Sequence, residues 1–336
     1  MEKIIITDTT MRDGSHSVRH QFDLDQVGAI AQALDGAGID IIEVGHGDGL
    51  TGSTCNYGFS KFSDNDQVER AVQSAKNARV AVLLLPGIGT VPDLEEVQAR
   101  GASVVRVATH VTEADISQQH MQEAKRMGFF VVGFLMMAHR AGVDRVVEEA
   151  KKMASYGADV VYVTDSSGAM LPGDVRAKVE SMRRAISVPV GFHSHNNLGL
   201  ALGNSLAAVE AGATYIDGSL GGLGAGAGNT PTEVLVAVLK RSGYPVSQDL
   251  YGMIDASEKV LKPILESFGV PAPAIQDPLL LGYAGVYSSF MLHARRAAAR
   301  FGVDYRDIIM ELGRREAVGG QEDWILEIAE NLATAR

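Results

Sequence analysis

Short apolar runs rich in β-branched residues recur along the chain from Lys3 to Leu220. The eight runs are, in order, KIIIT, IDIIEV, RVAVLLL, SVVRVAT, FFVVGFLMM, DVVYVT, VPVGFH and TYIDGSL. Between them lie stretches such as DQVGAIAQALDGAG and GDVRAKVESMRRAI, whose apolar residues recur at the spacing of one helix face. Several of these stretches end in glycine, which adopts the left-handed conformation of a helix C-terminus without steric cost. The pattern therefore predicts eight consecutive strand–helix units.

Nearly continuous apolar strands, each followed by a helix, are typical of a parallel sheet covered by helices. Eight such units match a closed (β/α)₈ barrel, which needs about 250 residues. An open, doubly wound sheet is the alternative. We predict an α/β protein with a TIM barrel over residues 1–262 and a helical C-terminal domain over residues 263–336. In either arrangement, reactive side chains belong at the C-terminal ends of the strands.

From Tyr251 onward the strand pattern stops, and the remaining segments have helical periodicity. The segments are YGMIDASEKVLKPIL, SSFMLHARRAAARFG, YRDIIMELGRR and EDWILEIAENLAT. The proline-containing stretch from Gly269 to Pro278 is predicted to be the linker. Because a barrel needs no further core, these helices cover part of it, form a homodimer or contact another protein. The apolar residues expected in their core or contact face are Ile308, Ile309, Leu312, Trp324 and Ile328.

Charge and cysteine content narrow the class of protein. The 336 residues include 30 Lys and Arg against 41 Asp and Glu, a formal net charge of −11, which argues against nucleic acid or an anionic membrane as a partner. Cys55 is the only cysteine, so an internal disulfide is impossible and a reducing compartment is expected. The longest apolar stretch, FFVVGFLMMAH, is too short to cross a bilayer as a helix. We therefore expect a cytoplasmic protein.

Polar and ionisable residues collect at the predicted strand ends, where a barrel enzyme would need them. They are Arg12 and Asp13, Glu43 and His46, Thr109 and His110, Asp165 and Ser166, His193 and His195, and Ser219. A barrel with a purely structural role would have little reason for this distribution. The pattern therefore predicts an active site at the C-terminal end of the barrel.

The strongest single motif is FHSHNN, which contains His193 and His195. Side chains at positions i and i+2 of a strand share a face, so the two imidazoles can converge on one point. Asp13 ends another strand and supplies a carboxylate, and two histidines with one carboxylate can hold a divalent ion with open positions. Nitrogen and oxygen ligands without a thiolate favour Mn²⁺, Co²⁺ or Mg²⁺ over structural zinc. The alternative is a pair of hydrogen-bonded core histidines.

A glycine-rich segment, GGLGAGAGN from Gly221 to Asn229, follows the eighth strand. It lacks the lysine of a P-loop and the spacing of a dinucleotide-binding motif. Asn229 is expected to cap the next helix, with Pro231 in its first turn. Two interpretations remain open. The segment is a tight turn that brings backbone close to the site, or it binds an anionic group.

These motifs carry a family resemblance. TDTTMRDGSH, together with HSHNN and GAGAGN, resembles the pyruvate-type metal-dependent lyases and synthases, which include hydroxymethylglutaryl-CoA lyase and the isopropylmalate synthases. Within that superfamily, several longer segments resemble the 4-hydroxy-2-oxovalerate aldolase family. They are RDGSHSVRHQF, EVGHGDGLTGSTCNYGF, LLLPGIGTV, RVATHVTEADIS, GYAGVYSSF and VGGQED. The likeness runs from about Ile6 to Asp323, and its motifs are long and occur in order.

The resemblance implies an activity and a set of roles. It implies divalent-metal-dependent cleavage of a 4-hydroxy-2-oxo acid to pyruvate and an aldehyde, with Mn²⁺ as the expected ion and Co²⁺ or Mg²⁺ as alternatives. Asp13, His193 and His195 would bind the ion, and Arg12 would stabilise the enolate. His16 would be the base, and since many members of the wider superfamily have Gln there, it argues against the acyl-CoA enzymes. The products would be acetaldehyde or propanal, formed during degradation of aromatic compounds or steroids.

Further implications concern substrate contacts and a partner protein. Arg12, Ser166, His193 and Tyr283 would contact the substrate, with Tyr283 reaching over the site from the C-terminal region. Leu83, Leu85 and Met137 lie near strand ends and are expected to line the aldehyde pocket. The C-terminal region would contact an acylating acetaldehyde dehydrogenase, and VGGQED would border the exit path of the aldehyde.

Two other functions fit the sequence less well. A Schiff-base aldolase needs a lysine at a strand end, whereas the lysines lie at the N-terminus, in a loop (Lys61) and in helical stretches. An inactive scaffold would leave the complete set of metal ligands, arginine and histidine unexplained.

Overall fold

The computed structural model of the protein describes residues 2–271, 276–286, 288–317 and 321–334. Its first part is a closed barrel of eight parallel strands in sequential order. The strands are β1 (Ile5–Met11), β2 (Ile41–Val44), β3 (Arg79–Leu84), β4 (Val104–His110), β5 (Phe130–Met136), β6 (Val160–Asp165), β7 (Val190–Ser194) and β8 (Tyr215–Gly218). The helices that follow them are α1 (Leu24–Gly36), α2 (Asp64–Ser74), α3 (Val91–Ala99), α4 (Gln118–Met127), α5 (Val143–Ser155), α6 (Pro172–Ala185), α7 (Ala201–Glu210) and α8 (Thr232–Arg241).

The closed barrel confirms the predicted fold, since each of the eight apolar runs forms a strand. Strand β1 pairs with β8 in parallel, with Ile5 opposite Tyr215 and Asp8 opposite Gly218. This pairing closes the sheet and excludes the open, doubly wound alternative. It also places the ends of β1, β7 and β8 next to one another, so side chains that follow these three strands can form one site.

Local sequence signals define the helices. Helix α1 begins with a capping box, in which the Asp23 side chain accepts from the Gln26 backbone N–H and the Gln26 side chain accepts from that of Asp23. Helix α4 ends at Gly128, whose φ of 92° is a left-handed conformation that glycine adopts without steric cost.

The interior of the barrel combines an apolar cluster with buried charges. The apolar cluster contains Ile41, Ala81, Leu83, Val104, Ala108, Val132, Phe134, Val160 and Tyr162. Leu85 and Met136 pack against this cluster and are partly buried. The charged residues Glu43, Arg106 and Asp217 come from β2, β4 and β8 and are also buried. A TIM barrel interior usually consists of branched apolar side chains, so these charges are an exception.

The chain continues from the barrel into a bent helical run. It consists of α9 (Leu250–Asp255), a π-helical turn (Ala256–Leu261) and α10 (Lys262–Ser267). Pro263 lies in the first turn of α10, where proline is tolerated because it has no backbone N–H to donate. The run contacts α1 and α8, so the first compact unit extends to Ala272, whereas the sequence predicts the boundary after residue 262.

The second compact unit, Pro273–Arg336, is helical as predicted. Its helices are α11 (Gln276–Ala284), α12 (Phe290–Phe301), α13 (Tyr305–Arg314) and α14 (Asp323–Thr334). Ile308, Ile309, Leu312 and Ile328 are buried in its core, while Trp324 is only partly buried.

The predicted linker is wrong at its C-terminal end. Gln276, Asp277 and Pro278 belong to α11, because proline is tolerated in a first helical turn, where the backbone N–H has no partner in the helix. Residues 272–275 of the predicted linker lie outside the described residues. Across the described part of the chain, none of the helices has both the length and the apolar character that a bilayer span requires.

Candidate active site

The three predicted metal ligands meet at the C-terminal end of the barrel. Asp13 opens a short 3₁₀ helix (Asp13–Val18) just after β1, and His193 and His195 lie at the end of β7. The Nε2 atoms of the two histidines are 3.4 Å apart, and His195 Nε2 is 3.8 Å from Asp13 Oδ2. All three side chains are largely buried, and their ligand atoms converge as a group that can hold a metal ion.

Hydrogen bonds determine which nitrogen of each imidazole carries its proton. His193 donates from Nδ1 to Asp217 Oδ2 at 2.8 Å, and His195 donates from Nδ1 to the Ala225 carbonyl oxygen at 3.3 Å. Each Nε2 atom therefore carries a lone pair, and the two lone pairs face each other. Burial lowers the pKa of His195, which keeps this ring neutral. Two facing lone pairs beside a carboxylate repel one another, and a bound cation would relieve that repulsion.

Asn229 adds a neutral oxygen beside the same ligands. Its Nδ2 atom donates to Asp13 Oδ2 at 2.5 Å and to the Leu223 carbonyl oxygen at 3.0 Å. Its Oδ1 atom is buried and has no hydrogen-bond partner among the described residues. A buried polar atom without a partner is costly, so this oxygen also fits a site that holds a cation.

The expected cap at Asn229 is wrong. Helix α8 begins at Thr232, and the residue that caps it is Pro231, which makes no side-chain capping bond. The Asn229 side chain is engaged with Asp13 and is therefore not available to cap the helix.

The glycine-rich segment brings its backbone close to the ligands. A Cβ atom at Gly228 would lie 1.9 Å from the Gly222 carbonyl oxygen, and one at Gly224 would lie 2.6 Å from Asn229 Nδ2. Gly228 also has a φ of 85°, which few other residues adopt. The segment supplies the Ala225 carbonyl oxygen that orients His195. This geometry fits the first interpretation of the segment, a tight turn that allows close approach.

Arg12 is buried beside Asp13 and is held from two sides. Its Nε atom donates to Glu43 Oε2 at 2.8 Å, and its Nη1 atom lies 3.1 Å from Asp13 Oδ1 and 3.3 Å from the Gly47 carbonyl oxygen. Its Nη2 atom is buried and without a hydrogen-bond partner in the described part of the chain. Burial raises the pKa of Asp13, but Arg12 and the neighbouring histidines hold it well below its usual range. The carboxylate is therefore ionised and ready to bind a cation.

His16 lies in the same 3₁₀ turn and has a defined basic atom. Its Nδ1 atom donates to the Asp13 carbonyl oxygen at 2.9 Å, so in the neutral ring the lone pair is on Nε2, which is 3.6 Å from Asp48 Oδ2. Burial lowers the pKa of His16, but its contacts with Asp13 and Asp48 outweigh burial and raise the pKa to about 10. A divalent cation on Asp13 would offset this negative charge and bring the pKa of His16 back down.

Three buried residues, Glu43, Arg106 and Asp217, connect Arg12 to His193, and of these only Glu43 was named from the sequence, as a strand-end residue without an assigned role. Glu43 Oε2 accepts from Arg12 Nε and, at 3.0 Å, from Arg106 Nη1. Arg106 Nη2 donates to Asp217 Oδ2, the same oxygen that accepts from His193. A signal was present in the sequence, because an arginine inside SVVRVAT and an aspartate inside TYIDGSL interrupt otherwise apolar strands.

Two predicted substrate-contacting residues remain, Ser166 and Tyr283. Ser166 directly follows β6, and its Oγ atom accepts from the Met137 backbone N–H at 2.9 Å. Tyr283 lies in α11 of the second compact unit and is partly buried. Residues 318–320, which open the VGGQED motif, lie outside the described residues. The substrate contacts of Ser166 and Tyr283 and the exit path at VGGQED stay predictions.

The distribution of lysines argues against a Schiff-base site. Among the described residues, no strand of the barrel contains a lysine. A Schiff-base aldolase needs that amine next to the substrate carbonyl, inside the mouth of the barrel.

Comparisons with known proteins agree with this geometry. Residues 3–260 match the family described as HMGL-like, and residues 273–334 match the DmpG-like communication domain. The 4-hydroxy-2-oxovalerate aldolase of Geobacillus thermodenitrificans is 55% identical over 99% of this chain and 96% of its own length. That of Carboxydothermus hydrogenoformans is 56% identical over 99% of this chain and 98% of its own length.

A solved structure supports the fold. The HMG-CoA lyase of Bacillus subtilis superposes with a TM-score of 0.68 at 19% identity, covering 82% of this chain and 96% of its own. The family resemblance drawn from the motifs is thus confirmed by the full-length relatives. The chain belongs to the HMGL-like family and, within it, to the 4-hydroxy-2-oxovalerate aldolases, and it is a lyase.

Proposed function

We propose that this lyase is a class II, divalent-metal-dependent aldolase. Its substrate is 4-hydroxy-2-oxopentanoate or 4-hydroxy-2-oxohexanoate, and its products are pyruvate and acetaldehyde or propanal. The observation that carries the proposal is the convergence of two imidazole lone pairs and the Asp13 carboxylate, next to Arg12 and His16. The printed names of the full-length relatives support the substrate class. The reaction belongs to the degradation of aromatic compounds or steroids.

Asp13, His193 and His195 would hold the ion. When bound, a divalent cation supplies Lewis-acid stabilisation to the carboxylate and carbonyl oxygens of a 2-oxo acid. The nitrogen and oxygen donors, without a thiolate, favour Mn²⁺, with Co²⁺ or Mg²⁺ as alternatives. Asn229 Oδ1, the buried and unpartnered oxygen of the amide that donates to Asp13, would be a further oxygen donor beside this set.

Arg12 stabilises the negative charge that develops on the substrate. Breaking the C3–C4 bond leaves its electron pair on the pyruvate fragment as an enolate. The Nη2 group of Arg12 is the donor left over after Glu43, Asp13 and Gly47 engage the other nitrogens, so it can donate to the enolate oxygen. Because the site is shielded from water, such a charge-assisted hydrogen bond stabilises the transition state more than it would in solution.

His16 accepts the proton that leaves the C4 hydroxyl group. As the C3–C4 bond breaks, the C4 oxygen becomes the aldehyde oxygen and its proton moves to the Nε2 atom of His16. The bond from Nδ1 to the Asp13 carbonyl oxygen keeps the ring in the tautomer that can accept this proton. Ser166 and Tyr283 contact the substrate in this proposal.

Hydrogen exchange on pyruvate tests the proposal without the aldehyde. Enolate formation exchanges the methyl protons of pyruvate with solvent, so in D₂O the metal-loaded enzyme should deplete the methyl proton signal. His195→Ala should abolish the exchange, and His120→Ala, a partly buried histidine on α4, should leave it intact. Exchange that persists in fully chelated protein would exclude metal-dependent enolate formation.

We also propose that the helical domain binds an acylating acetaldehyde dehydrogenase. The match of residues 273–334 to a communication domain supports a partner-binding role. A small reactive aldehyde would escape or modify amines unless it passed directly to the next enzyme. Leu292 on α12 and Leu326 on α14 are 55% and 47% exposed, and they give the domain two apolar side chains that a partner could cover.

Co-expression with the dehydrogenase tests the partnership. The two proteins should purify as a complex, and an external aldehyde trap should capture little of the product. The double variant Leu292→Glu/Leu326→Glu should weaken the complex, whereas Ile116→Glu, at an exposed position of the 3₁₀ turn Ala114–Ser117 after β4, should not. Complete capture of the aldehyde in the presence of the dehydrogenase at micromolar concentration would contradict the proposal.

A further inference from the structure

An ionic chain crosses the inside of the barrel from Arg12 to His193. Its order is Arg12, Glu43, Arg106, Asp217 and His193, so positive and negative side chains alternate up to the metal-binding histidine. Arg106 lies on β4 and Asp217 on β8, which are opposite strands of the barrel. A contact between opposite strands of a closed barrel can be made only across its interior.

A contribution to the stability of the fold does not explain this ionic chain. Glu43 and Arg106 are 0% and 1% exposed, and the other members are nearly as deeply buried. Removing charges from water costs several kcal/mol per ion, and apolar residues of similar volume often stabilise a core at least as well. The usual branched apolar filling of a TIM barrel would therefore serve the fold. These buried charges are therefore explained better by a role in the active site than by a role in stabilising the fold.

Asp217 fixes the orientation of His193. Its Oδ2 atom accepts from His193 Nδ1 at 2.8 Å, which turns the Nε2 lone pair toward His195 and Asp13. Carboxylates behind metal-binding histidines orient the ring and increase its basicity.

Arg106 holds Asp217 and Glu43 at once. Its two Nη atoms donate to Glu43 Oε2 and Asp217 Oδ2, and its planar group lies 4.4 Å from the Phe134 ring centroid and 4.8 Å from that of Tyr162. The two rings restrict the plane of the guanidinium, and the fork fixes both carboxylates. Glu43 in turn accepts from Arg12 Nε, which leaves the far Nη2 group of Arg12 for substrate.

We infer that Arg106 is a positioning residue that aligns the metal-binding face of His193, through Asp217, with the guanidinium of Arg12, through Glu43. The inference rests on the proposed metal-dependent function of the site. One rigid side chain thus sets the relative placement of the metal ligand and the group that stabilises the enolate.

Three substitutions separate the effect of Arg106 on His193, through Asp217, from its effect on Arg12, through Glu43. In Asp217→Asn the amide no longer holds His193 with a charge, and Mn²⁺ affinity should fall by about 10- to 100-fold in titration calorimetry. Glu43→Gln should lower kcat while changing the Kd for Mn²⁺ less than twofold, because the hydrogen bonds to the Glu43 side chain come from Arg12 and Arg106 and not from a metal ligand. Arg106→Lys should show both defects, since an ammonium group cannot bridge the two carboxylates as a fork.

Glu149→Gln is the matched control. Glu149 is a fully buried carboxylate that pairs with Arg145 and Lys152 on α5, away from the site. It should leave both the Kd for Mn²⁺ and kcat unchanged, so a general effect of losing a buried charge would be visible in it. Circular dichroism identifies any variant that does not fold. If Asp217→Asn does not fold, the Kd for Mn²⁺ and the kcat of Arg106→Lys test the inference alone.

The outcomes distinguish this inference from the proposed function. Wild-type protein that binds Mn²⁺, with weaker binding in folded Asp217→Asn and Arg106→Lys, supports the positioning role. Wild-type binding that both variants match within twofold overturns the positioning role and leaves the metal site standing. Failure of the wild-type protein to bind a divalent ion overturns the proposed site and the inference with it.

Discussion

The Nδ1 atom of His16 lies 2.9 Å from the backbone carbonyl oxygen of Asp13, three residues earlier in the same 3₁₀ turn. One turn of chain after β1 therefore presents the Asp13 carboxylate, a proposed metal ligand, and turns the Nε2 atom of His16, the proposed base, outward. The two functions are fixed relative to each other by backbone geometry. A single strand end thereby supplies half of the candidate site.

Removing a metal ligand should abolish both ion binding and catalysis. In Asp13→Ala and His195→Ala only two of the three predicted ligands remain, and they would bind a divalent ion weakly. We expect no retained Mn²⁺ after gel filtration and no aldol cleavage, while His120→Ala retains both. A folded His195→Ala protein with unchanged metal content and full activity would place the site elsewhere.

Arg12→Lys should retain the ion but lose most of the rate. Lysine keeps the positive charge but cannot make the Nε bond to Glu43 and present a second donor to the substrate. Loss of one such donor to an oxyanion typically costs about 100- to 1,000-fold in kcat. Steady-state kinetics alongside a Mn²⁺ titration will show whether the loss is confined to kcat. A kcat of Arg12→Lys within about tenfold of wild type would mean that Arg12 acts only as a charge.

Gly47→Ala should displace the base. A Cβ atom at Gly47 would lie 2.2 Å from His16 Cε1, so the imidazole would have to rotate away from its bond with Asp13. The rate should fall toward that of His16→Ala, and both variants should bind Mn²⁺ normally and lack the acidic limb of the pH–rate profile. Gly36→Ala, whose added Cβ meets nothing within 4 Å, is the control and should behave as wild type.

The survival of normal kinetics in Gly47→Ala, together with an unmoved His16 ring, would refute this steric account. A persistent acidic limb in His16→Ala would show that another group is the base.

Ionisation of Glu233 should lower the free energy of unfolding of the protein as pH rises. Burial raises the pKa of Glu233 from 4.5 to about 7, although its carboxylate accepts from the Gly221 N–H and from Ser257. Between these two pH values the unfolded chain binds fewer protons than the folded one, so the free energy of unfolding decreases with pH and then levels off above about pH 7. The decrease is on the order of 3 kcal/mol.

Urea denaturation at pH 5 and pH 8 measures this effect. Glu233→Gln keeps an acceptor oxygen but does not ionise, so the difference in unfolding free energy between the two pH values should shrink. Glu149→Gln, which removes an ion-paired buried carboxylate, should keep the wild-type difference. An unchanged difference in Glu233→Gln would assign the pH dependence to other groups.

The barrel and the proximity of Asp13, His193 and His195 were predictable from the sequence for a clear physical reason. Each strand is a contiguous apolar run, and parallel strands place all their C-terminal ends at one mouth, so Asp13, His193 and His195 had to be near one another. The role of Asn229 was not predictable, because it depends on how the glycine-rich segment folds back over Asp13.

The ionic chain inside the barrel was also beyond sequence reasoning. Arg106 and Asp217 are separated by 111 positions, and their contact depends on the register and closure of the whole sheet. The linker was mispredicted at Pro278, because a proline near a helix start resembles a proline in a loop.

The most direct test of the central claim is to follow pyruvate and acetaldehyde released from 4-hydroxy-2-oxopentanoate by the purified full-length chain. The protein is assayed as isolated, after removal of divalent ions with a chelator, and after Mn²⁺ is added back. A metal-dependent aldolase should form the two products in equal amounts, lose the activity on chelation and regain it with Mn²⁺, while His195→Ala stays inactive throughout. Cleavage that continues at the same rate in ion-free protein, or its absence from folded, Mn²⁺-loaded protein, would contradict the account.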